Sequence, residues 1–362
     1  MYNFDEIIDR RHTNAMNTDG FRDYIFHADE TMKFPYQDEE FIRMWVADME
    51  FATPDVVIDG IKKRLEKRIF GYTRVFEKSY YDAFAAWCKS KYDWTFDRKE
   101  LVMSNGIIPA LFEMVEYICK PDEKVLFLTP SYAYFKYAAD ASHRESVCSD
   151  LINTDGYYTI DYEDLEKKAA DEKTTLFILC NPHNPSGRVW KEEELKKIGE
   201  IIEKNNMWVI SDEIHCDLTA PGKEYVPFAG VSEICRSISV TAIAPTKAFN
   251  IAGLQTAAVM VPDELLRHRM WRALNTDEVA EPNAFAVDAT VAAFGEGGEW
   301  LDALREYLQE NKKTVKEYIQ KEIPQIKVGS LDVTYLLWLD CSRITDNAEE
   351  LNVYLRKKAG VY

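Results

Sequence analysis

The sequence lacks the marks of secreted, membrane-spanning and disulfide-bonded proteins. Its seven cysteines are odd in number and widely scattered, with no CxxC pair, which favours reduced buried thiols in a cytoplasmic protein. The segment Met1–Arg11 carries Asp5, Glu6 and Asp9 but no apolar core, so we expect no secretory signal. No apolar run approaches the length of about 18 residues that a membrane span requires. We therefore expect no membrane partner.

Basic residues are scarce relative to acidic ones. The 362 residues include 44 Lys and Arg against 62 Asp and Glu, giving a formal net charge of -18. Binding nucleic acid over a broad face requires the opposite excess, so no nucleic-acid partner is expected. A small pocket for one phosphate is compatible with this charge. We assign no residues to a metal site.

The middle of the chain alternates short apolar runs with helical patterns. The runs are almost wholly apolar, as in strands buried on both faces, and the alternation predicts a mostly parallel α/β sheet. A helix is predicted over Lys191–Lys204 from the spacing of its apolar residues. The predicted strands are Lys124–Leu128, Thr174–Cys180, Met207–Ser211, Ser237–Thr241 and Thr256–Val261.

The two ends of the chain predict a second, smaller α+β unit. Thr53-Pro54 is typical of a helix start, and the helix is expected to run through Ile69. Helices from Asn283 and over Glu299–Glu322, a strand at Thr334–Leu339 and a helix at Asn347–Lys358 follow. The predicted domains are 49–290 and a small domain formed by 1–48 and 291–362, and we expect the C-terminal part of the small domain to be incomplete.

One lysine stands alone in an apolar segment. Among the 25 residues from Ser237 to Val261, Lys247 is the single charged residue. Burial lowers the pKa of an amine, and a neutral amine can attack a carbonyl. The alternative is a lysine that extends from the end of a buried strand to solvent.

Two other strands also end in polar residues. Asp212 directly follows Met207–Ser211, at the sheet edge where α/β proteins place ligands; alternatively it caps a helix. Strand Thr174–Cys180 runs into a turn with two Asn-Pro dipeptides, which holds Asn184 at the same edge.

A helix start and a tyrosine complete the pattern. Gly106 opens a helix that runs to Ile118, and its free N–H groups attract an anion such as phosphate. Tyr132 follows a strand, where its ring either lies at the ligand edge or packs in the core. Together, the amine, carboxylate, amide, aromatic face and helix start match the groups that bind pyridoxal 5'-phosphate.

These residues, with the longer motifs that contain them, resemble those of a known enzyme family. The chain is similar to fold type I pyridoxal-phosphate enzymes of the aminotransferase class I/II superfamily, and within them to the MalY/PatB group of cystathionine β-lyase-like C–S lyases. This implies a large domain with a mostly parallel seven-stranded sheet between helices. The resemblance rests on Met44–Phe51, Phe70–Thr73, Thr129–Tyr132, Asn181–Gly187, Ser211–His215, Ala244–Leu254 and Thr334–Asp340.

The resemblance also implies roles for individual residues. Lys247 would form the Schiff base, Asp212 would pair with the pyridinium nitrogen, and Tyr132 would stack on the ring. Asn184 would bond the phenolic oxygen, with His215 as a helper. The phosphate would be held by backbone N–H groups of Gly106, Ile107 and Ile108 and by Thr246. Tyr72 would reach the phosphate of the neighbouring subunit, because similar enzymes are homodimers with shared active sites.

The chain departs from the family pattern in three respects. Thr246 replaces a serine but keeps the hydroxyl. Gln255 stands where many aminotransferases carry an arginine to the phosphate, which suits the MalY/PatB group. Relatives usually continue beyond Tyr362 and carry there an arginine for the substrate carboxylate. Either this sequence omits that segment or substrate binding is impaired.

The expected activity is α,β-elimination from an L-cystathionine or L-cysteine type of substrate, giving pyruvate, ammonia and a thiol. Lys247 would remove the Cα proton, and either Lys247 or Tyr132 would protonate the leaving sulfur. The first alternative is a class I/II aminotransferase that uses the same residues on amino acids. The second is a pyridoxal-phosphate-binding regulatory or scaffold protein with weak catalysis.

Overall fold

The computed structural model describes residues 2–29 and 31–362. Met1 and Glu30, which fall in the predicted small domain, lie outside the described residues. The α-helices are α1 Asp55–Leu65, α2 Lys78–Tyr92, α3 Ile107–Ile118, α4 Ala133–Ala141, α5 Tyr162–Ala169, α6 Glu192–Lys204, α7 Phe228–Val231, α8 Glu233–Ser237, α9 Glu264–Thr276, α10 Ala286–Glu296, α11 Gly298–Glu322 and α12 Ala348–Ala359. The strands are β1 Leu101–Ser104, β2 Lys124–Thr129, β3 Glu145–Asp150, β4 Ile152–Thr154, β5 Tyr157–Thr159, β6 Thr174–Cys180, β7 Trp208–Asp212, β8 Ser239–Ile243, β9 Ala257–Met260, β10 Lys327–Val328 and β11 Leu339–Asp340.

The central sheet has seven strands in the order β1-β9-β8-β7-β6-β2-β3. Strand β9 is antiparallel to both of its neighbours, and the other adjacent pairs are parallel. The pairs β4-β5 and β10-β11 form two separate antiparallel ribbons. The predicted mostly parallel α/β sheet is therefore confirmed.

The apolar runs are explained by burial on both faces of this sheet. In β2, Val125 and Phe127 join the core cluster beneath α3, α4 and α9, whereas Leu126 and Leu128 join a second cluster with α5 and α6. Successive side chains of a strand point to opposite faces, so a strand covered on both sides needs apolar residues at every position.

The predicted start and end of the first long helix were wrong. Helix α1 begins at Asp55 and ends at Leu65, short of Ile69. Thr53 does not cap it, because its hydroxyl donates to the carbonyl of Asn250, 3.1 Å away. A tertiary contact thus takes the hydroxyl that the sequence assigned to a cap.

The predicted strand at Thr334–Leu339 was also wrong, and only Leu339–Asp340 pairs, with Lys327–Val328. Thr334 has φ of +65°, which lies outside the β region. Its hydroxyl accepts the N–H of Leu336 at 3.0 Å, a local bond that replaces a strand ladder. Within the described ranges, none of the helices combines the length and apolarity needed to cross a membrane.

Candidate active site

A cavity of about 420 Å³ opens at the carboxyl ends of the central strands. Strand β6 ends there at Cys180 and β7 at Asp212, and α3 points its N-terminus into the same space. Nine of the ten predicted site residues line this cavity: Gly106, Ile107, Ile108, Tyr132, Asn184, Asp212, His215, Thr246 and Lys247. The structure therefore gathers into one place residues that lie more than 140 positions apart in the chain.

Lys247 lies in a helical turn just beyond β8. Its Nζ donates to the backbone carbonyl of Ala47 at 2.6 Å. Burial lowers the pKa of this amine, and the charges of Asp48 and Asp212 partly oppose that shift. A buried amine of lowered pKa is the form in which a lysine becomes nucleophilic or basic.

Asp212 is the last residue of β7 and is only 5% exposed. Its Oδ1 accepts the N–H of Ile214 at 3.2 Å, so it closes a turn and caps no helix. Burial raises its pKa to about 6, while that N–H and the charge of Lys247 act to lower it. A carboxylate in this setting favours a cationic ligand such as a protonated ring nitrogen.

His215 lies in the same wall with an unpaired nitrogen. It is 3% exposed, and its Nδ1 has no hydrogen-bond partner among the described residues. Burial, with a smaller contribution from the charge of Lys247, lowers the pKa of the imidazole to about 3, so the ring is neutral. A buried polar atom without a partner indicates that a ligand supplies one.

Asn184 is positioned by the turn that follows β6. Its backbone N–H donates to the Cys180 sulfur at 3.4 Å, which folds the turn back onto the strand end. Cys180 pairs with Asp212 across the parallel strands β6 and β7. The amide of Asn184 and the carboxylate of Asp212 consequently line the same cavity.

The N-terminus of α3 forms another side of the cavity. Gly106 precedes the helix with φ of +145° and ψ of +166°, a conformation that favours glycine. The first N–H groups of a helix have no intrahelical partner. The neighbouring Asn105 also has a buried Oδ1 without a hydrogen-bond partner among the described residues. The helix N–H groups and the Thr246 hydroxyl can donate to an anionic group such as a phosphate, whereas the Asn105 Oδ1 is an acceptor and needs a donor.

Tyr132 supplies a flat ring to the cavity, and it stacks on Tyr134 with centroids 5.2 Å apart. Burial raises its pKa to about 12, so its hydroxyl stays protonated at neutral pH. Tyr72 is the predicted residue that the structure places elsewhere. It is 98% exposed and lines an adjacent cavity of about 540 Å³, which shares Asn105 and Gln255 with the first.

Sequence reasoning did not identify Ala47 and Cys180, which line the cavity, or Tyr335, which bonds the Ala47 carbonyl from behind the lining. Ala47 acts through its backbone, which leaves no side-chain signal. Cys180 is the terminal residue of an apolar strand and looks like core. Tyr335 fell in the segment predicted as a strand, although its hydroxyl donates to Ala47 at 2.8 Å.

Taken together, these groups fit pyridoxal 5'-phosphate: a partly buried amine, a carboxylate, an unpaired imidazole nitrogen, an amide, an aromatic face and a helix N-terminus. The fold around them is that of fold type I pyridoxal-phosphate enzymes. Residues 39–362 match the family model for aminotransferase class I and II. The chain belongs to this family.

Three relatives show where in the family the similarity is strong. The chain is 40% identical over 318 residues to the cystathionine beta-lyase PatB of Bacillus subtilis, covering 88% of this chain and 82% of that protein. It is 28% identical to the protein MalY of Escherichia coli over 365 residues, covering 100% and 90%. The crystal structure of a pyridoxal-phosphate-bound C–S lyase from Staphylococcus hominis, complexed with L-cycloserine, superposes with a TM-score of 0.92 at 44% identity, covering 100% and 89%.

Proposed function

We propose that this chain is a pyridoxal 5'-phosphate-dependent C–S β-lyase that acts on amino acids of the cystathionine or cysteine type. The observation that carries the proposal is the cavity that unites Lys247, Asp212 and Asn184 with Gln255. Gln255 is neutral where many aminotransferases have arginine, and the similarity to PatB and to the Staphylococcus hominis lyase points the same way.

Each residue of the cavity has a task in this proposal. When bound, the cofactor supplies an electron-accepting ring that stabilises negative charge at the substrate Cα. Asp212 keeps the ring nitrogen protonated, and Asn184 with His215 bonds the phenolic oxygen. Tyr132 covers one face of the ring. Lys247 removes the Cα proton, the Cβ–S bond breaks, and Lys247 or Tyr132 gives a proton to the departing sulfur, so that a thiol leaves. The aminoacrylate that is released then reacts with water to give pyruvate and ammonia.

The phosphate is assigned to the N–H groups of Gly106, Ile107 and Ile108 and to the Thr246 hydroxyl. The proposal includes a homodimer in which Tyr72 reaches the phosphate of the other subunit. It also includes a division into a large domain of residues 49–290 and a small domain of residues 1–48 and 291–362, and a cytoplasmic location.

Release of pyruvate from L-cystathionine without any keto-acid acceptor tests the activity. A lyase forms many equivalents of pyruvate per site, because elimination regenerates the cofactor. An aminotransferase would stop after one turnover per site, and a protein that only binds the cofactor would form none. The Lys247→Ala variant serves as the control for pyruvate that forms without the lysine. Failure of the wild-type protein to exceed one equivalent would contradict the proposal.

A further inference from the structure

The backbone carbonyl of Ala47 receives two hydrogen bonds from side chains that lie far apart in the sequence. The amine of Lys247 donates to this oxygen at 2.6 Å, and the hydroxyl of Tyr335 donates to it at 2.8 Å. A carbonyl oxygen has two lone pairs, so both donors can bind it at once. The two bonds place the Lys247 amine and the Tyr335 hydroxyl on one acceptor at the wall of the cavity.

Tyr335 itself belongs to the surroundings of the cavity. Its ring meets the ring of His215 edge to face, with centroids 6.4 Å apart and planes at 75°. Burial raises the pKa of its phenol, and the charges of Asp48 and Tyr132 act in the same direction. The hydroxyl therefore stays protonated at neutral pH and remains a hydrogen-bond donor.

A buried lysine of α11 holds the segment that carries Tyr335. The Nζ of Lys312 donates to the carbonyls of Leu331 at 2.9 Å and of Thr334 at 3.1 Å. Thr334 is β-branched and has φ of +65°, a conformation that such residues seldom adopt. The backbone just before Tyr335 is thus fixed by side-chain bonds, which gives its hydroxyl a defined position.

We propose that Tyr335 is a positioning residue of the active site. Its hydroxyl keeps the Ala47 carbonyl in place, so that this oxygen accepts a hydrogen bond from the Lys247 amine whenever the amine is not bonded to the cofactor. This inference depends on the proposed function in one respect, which is the assignment of Lys247 as the base that removes the Cα proton. A lysine that has taken up a proton in a buried cavity becomes an ammonium group, which is costly to bury without an acceptor. The Ala47 oxygen provides this acceptor.

The contrasting interpretation is that Tyr335 only ties two chain segments together. A purely structural tie would change the free energy of unfolding but would leave the reactivity of Lys247 unchanged. The quantity to measure is therefore the reactivity of the Lys247 amine in a variant that is still folded.

The test compares Tyr335→Phe with Tyr362→Phe. Tyr362 is buried, and its hydroxyl also donates to a backbone carbonyl, that of Asn17, at 2.7 Å, but Asn17 does not line the cavity, whereas Ala47 does. The full-length chain is freed of cofactor, treated briefly with acetic anhydride at neutral pH, and analysed for acetylation of Lys247 by peptide mass spectrometry. Circular dichroism and rebinding of the cofactor establish that each variant is folded.

We expect Lys247 to be acetylated about threefold to tenfold faster in Tyr335→Phe than in the wild-type protein, the range that loss of one ordinary hydrogen bond produces. The amine is then less anchored and more often neutral, and both effects raise its reactivity. In the loaded enzyme the same variant should lower kcat by a similar factor with little change in KM, since the free lysine acts after substrate has bound. Tyr362→Phe should change neither quantity.

An equal acetylation rate in folded Tyr335→Phe and wild-type protein would overturn the inference. A faster rate in Tyr362→Phe as well would also overturn it, because the effect would then be general loosening. The acetylation assay needs no lyase activity, so its result is independent of the pyruvate assay that tests the proposed function.

Discussion

Asp212 and Lys247 influence each other's ionisation across the cavity. The charge of Lys247 lowers the pKa of Asp212, and the charge of Asp212 raises that of Lys247, each against a larger opposite effect of burial. Asp212 pairs with Ala242 across strands β7 and β8, and Lys247 follows five residues later. Two adjacent parallel strands therefore deliver an acid and a base to the same point, where a ligand with both an aldehyde and a ring nitrogen can bind between them.

Replacing Asp212 by alanine should lower the rate of pyruvate release by about 100-fold or more while the protein stays folded. The variant lacks the carboxylate that we propose keeps the ring nitrogen protonated, and preorganised charges of this kind contribute on that scale. Steady-state kinetics on the purified variant measure the effect.

Asp263→Ala is the matched control for this variant. Asp263 is a true helix cap, since its Oδ1 accepts the N–H of Leu266 at 2.7 Å at the start of α9. Its loss should cost about 1 kcal/mol of stability and leave the rate unchanged. If Asp212→Ala retains more than about a tenth of the wild-type rate, as a mere turn-closing residue would, the proposed role of Asp212 is incorrect.

Reduction of the loaded protein with borohydride should link the cofactor covalently to Lys247. The amine is partly buried, has a lowered pKa and lines the same cavity as Asp212, which suits it for a covalent bond to an aldehyde. Peptide mapping by mass spectrometry identifies the labelled residue. A label on another lysine, including the buried Lys312, would be inconsistent with the assignment.

Complementation between two inactive chains tests the shared site. Tyr72 is almost fully exposed, and the cavity it lines adjoins the one that holds Lys247. Joint refolding of Lys247→Ala with Tyr72→Phe chains should restore part of the activity. If sites are shared, one site of each mixed dimer contains both substitutions and the other contains neither.

The complementation assay requires that Tyr72→Phe alone is clearly impaired and that mixed dimers are demonstrated by mass spectrometry. Under those conditions, absence of any recovery would show that each chain completes its own site. Refolding each variant separately and then mixing the products provides the control for exchange without assembly.

Stability should rise with pH between about 8 and 10.5 because of Lys312. Burial lowers the pKa of its amine from 10.5 to about 8. The unfolded chain keeps this proton up to pH 10.5, whereas the folded chain releases it near pH 8. The unfolded state therefore binds more protons in this window, and the free energy of unfolding increases with pH there, by up to about 3 kcal/mol.

Urea unfolding at a series of pH values, compared between the wild-type protein and Lys312→Met, isolates this contribution. Buried tyrosines titrate in both proteins and cancel in the difference. The difference between the two stabilities should widen as pH rises from 8 to 10.5. Parallel stability curves over this range would mean that Lys312 keeps its ordinary pKa in the folded protein.

Much of the sheet and the contents of the cavity were predictable from residue patterns. The apolar runs that became β2, β6 and β7 are buried on both faces, so nearly every position had to be apolar. Polar residues at the end of such a strand, or in the turn just beyond it, must lie at the carboxyl edge, which brings Asp212 and Asn184 to the cavity. Strand β8 shows the limit of this reasoning. Its predicted start at Ser237 was wrong, because that residue ends α8 and the strand begins at Ser239.

The residues around Thr334 show why other elements, such as the strand expected at Thr334–Leu339, could not be predicted correctly. Their β-branched and aromatic composition favours a strand, but bonds from Lys312 hold the backbone in another conformation. Local propensity is worth at most about 1 kcal/mol per residue, and tertiary hydrogen bonds override it.

The sequence by itself determined the fold class and the chemical groups of the candidate site, because burial of strands on both faces follows from local apolar patterns, and its motifs carried the resemblance to the family. The tertiary structure alone decided that Ala47 offers its carbonyl to Lys247 and Tyr335, and that Tyr72 lies outside the main cavity. A backbone acceptor has no side-chain identity, and contacts between residues 200 and 288 positions apart depend on how the whole chain packs.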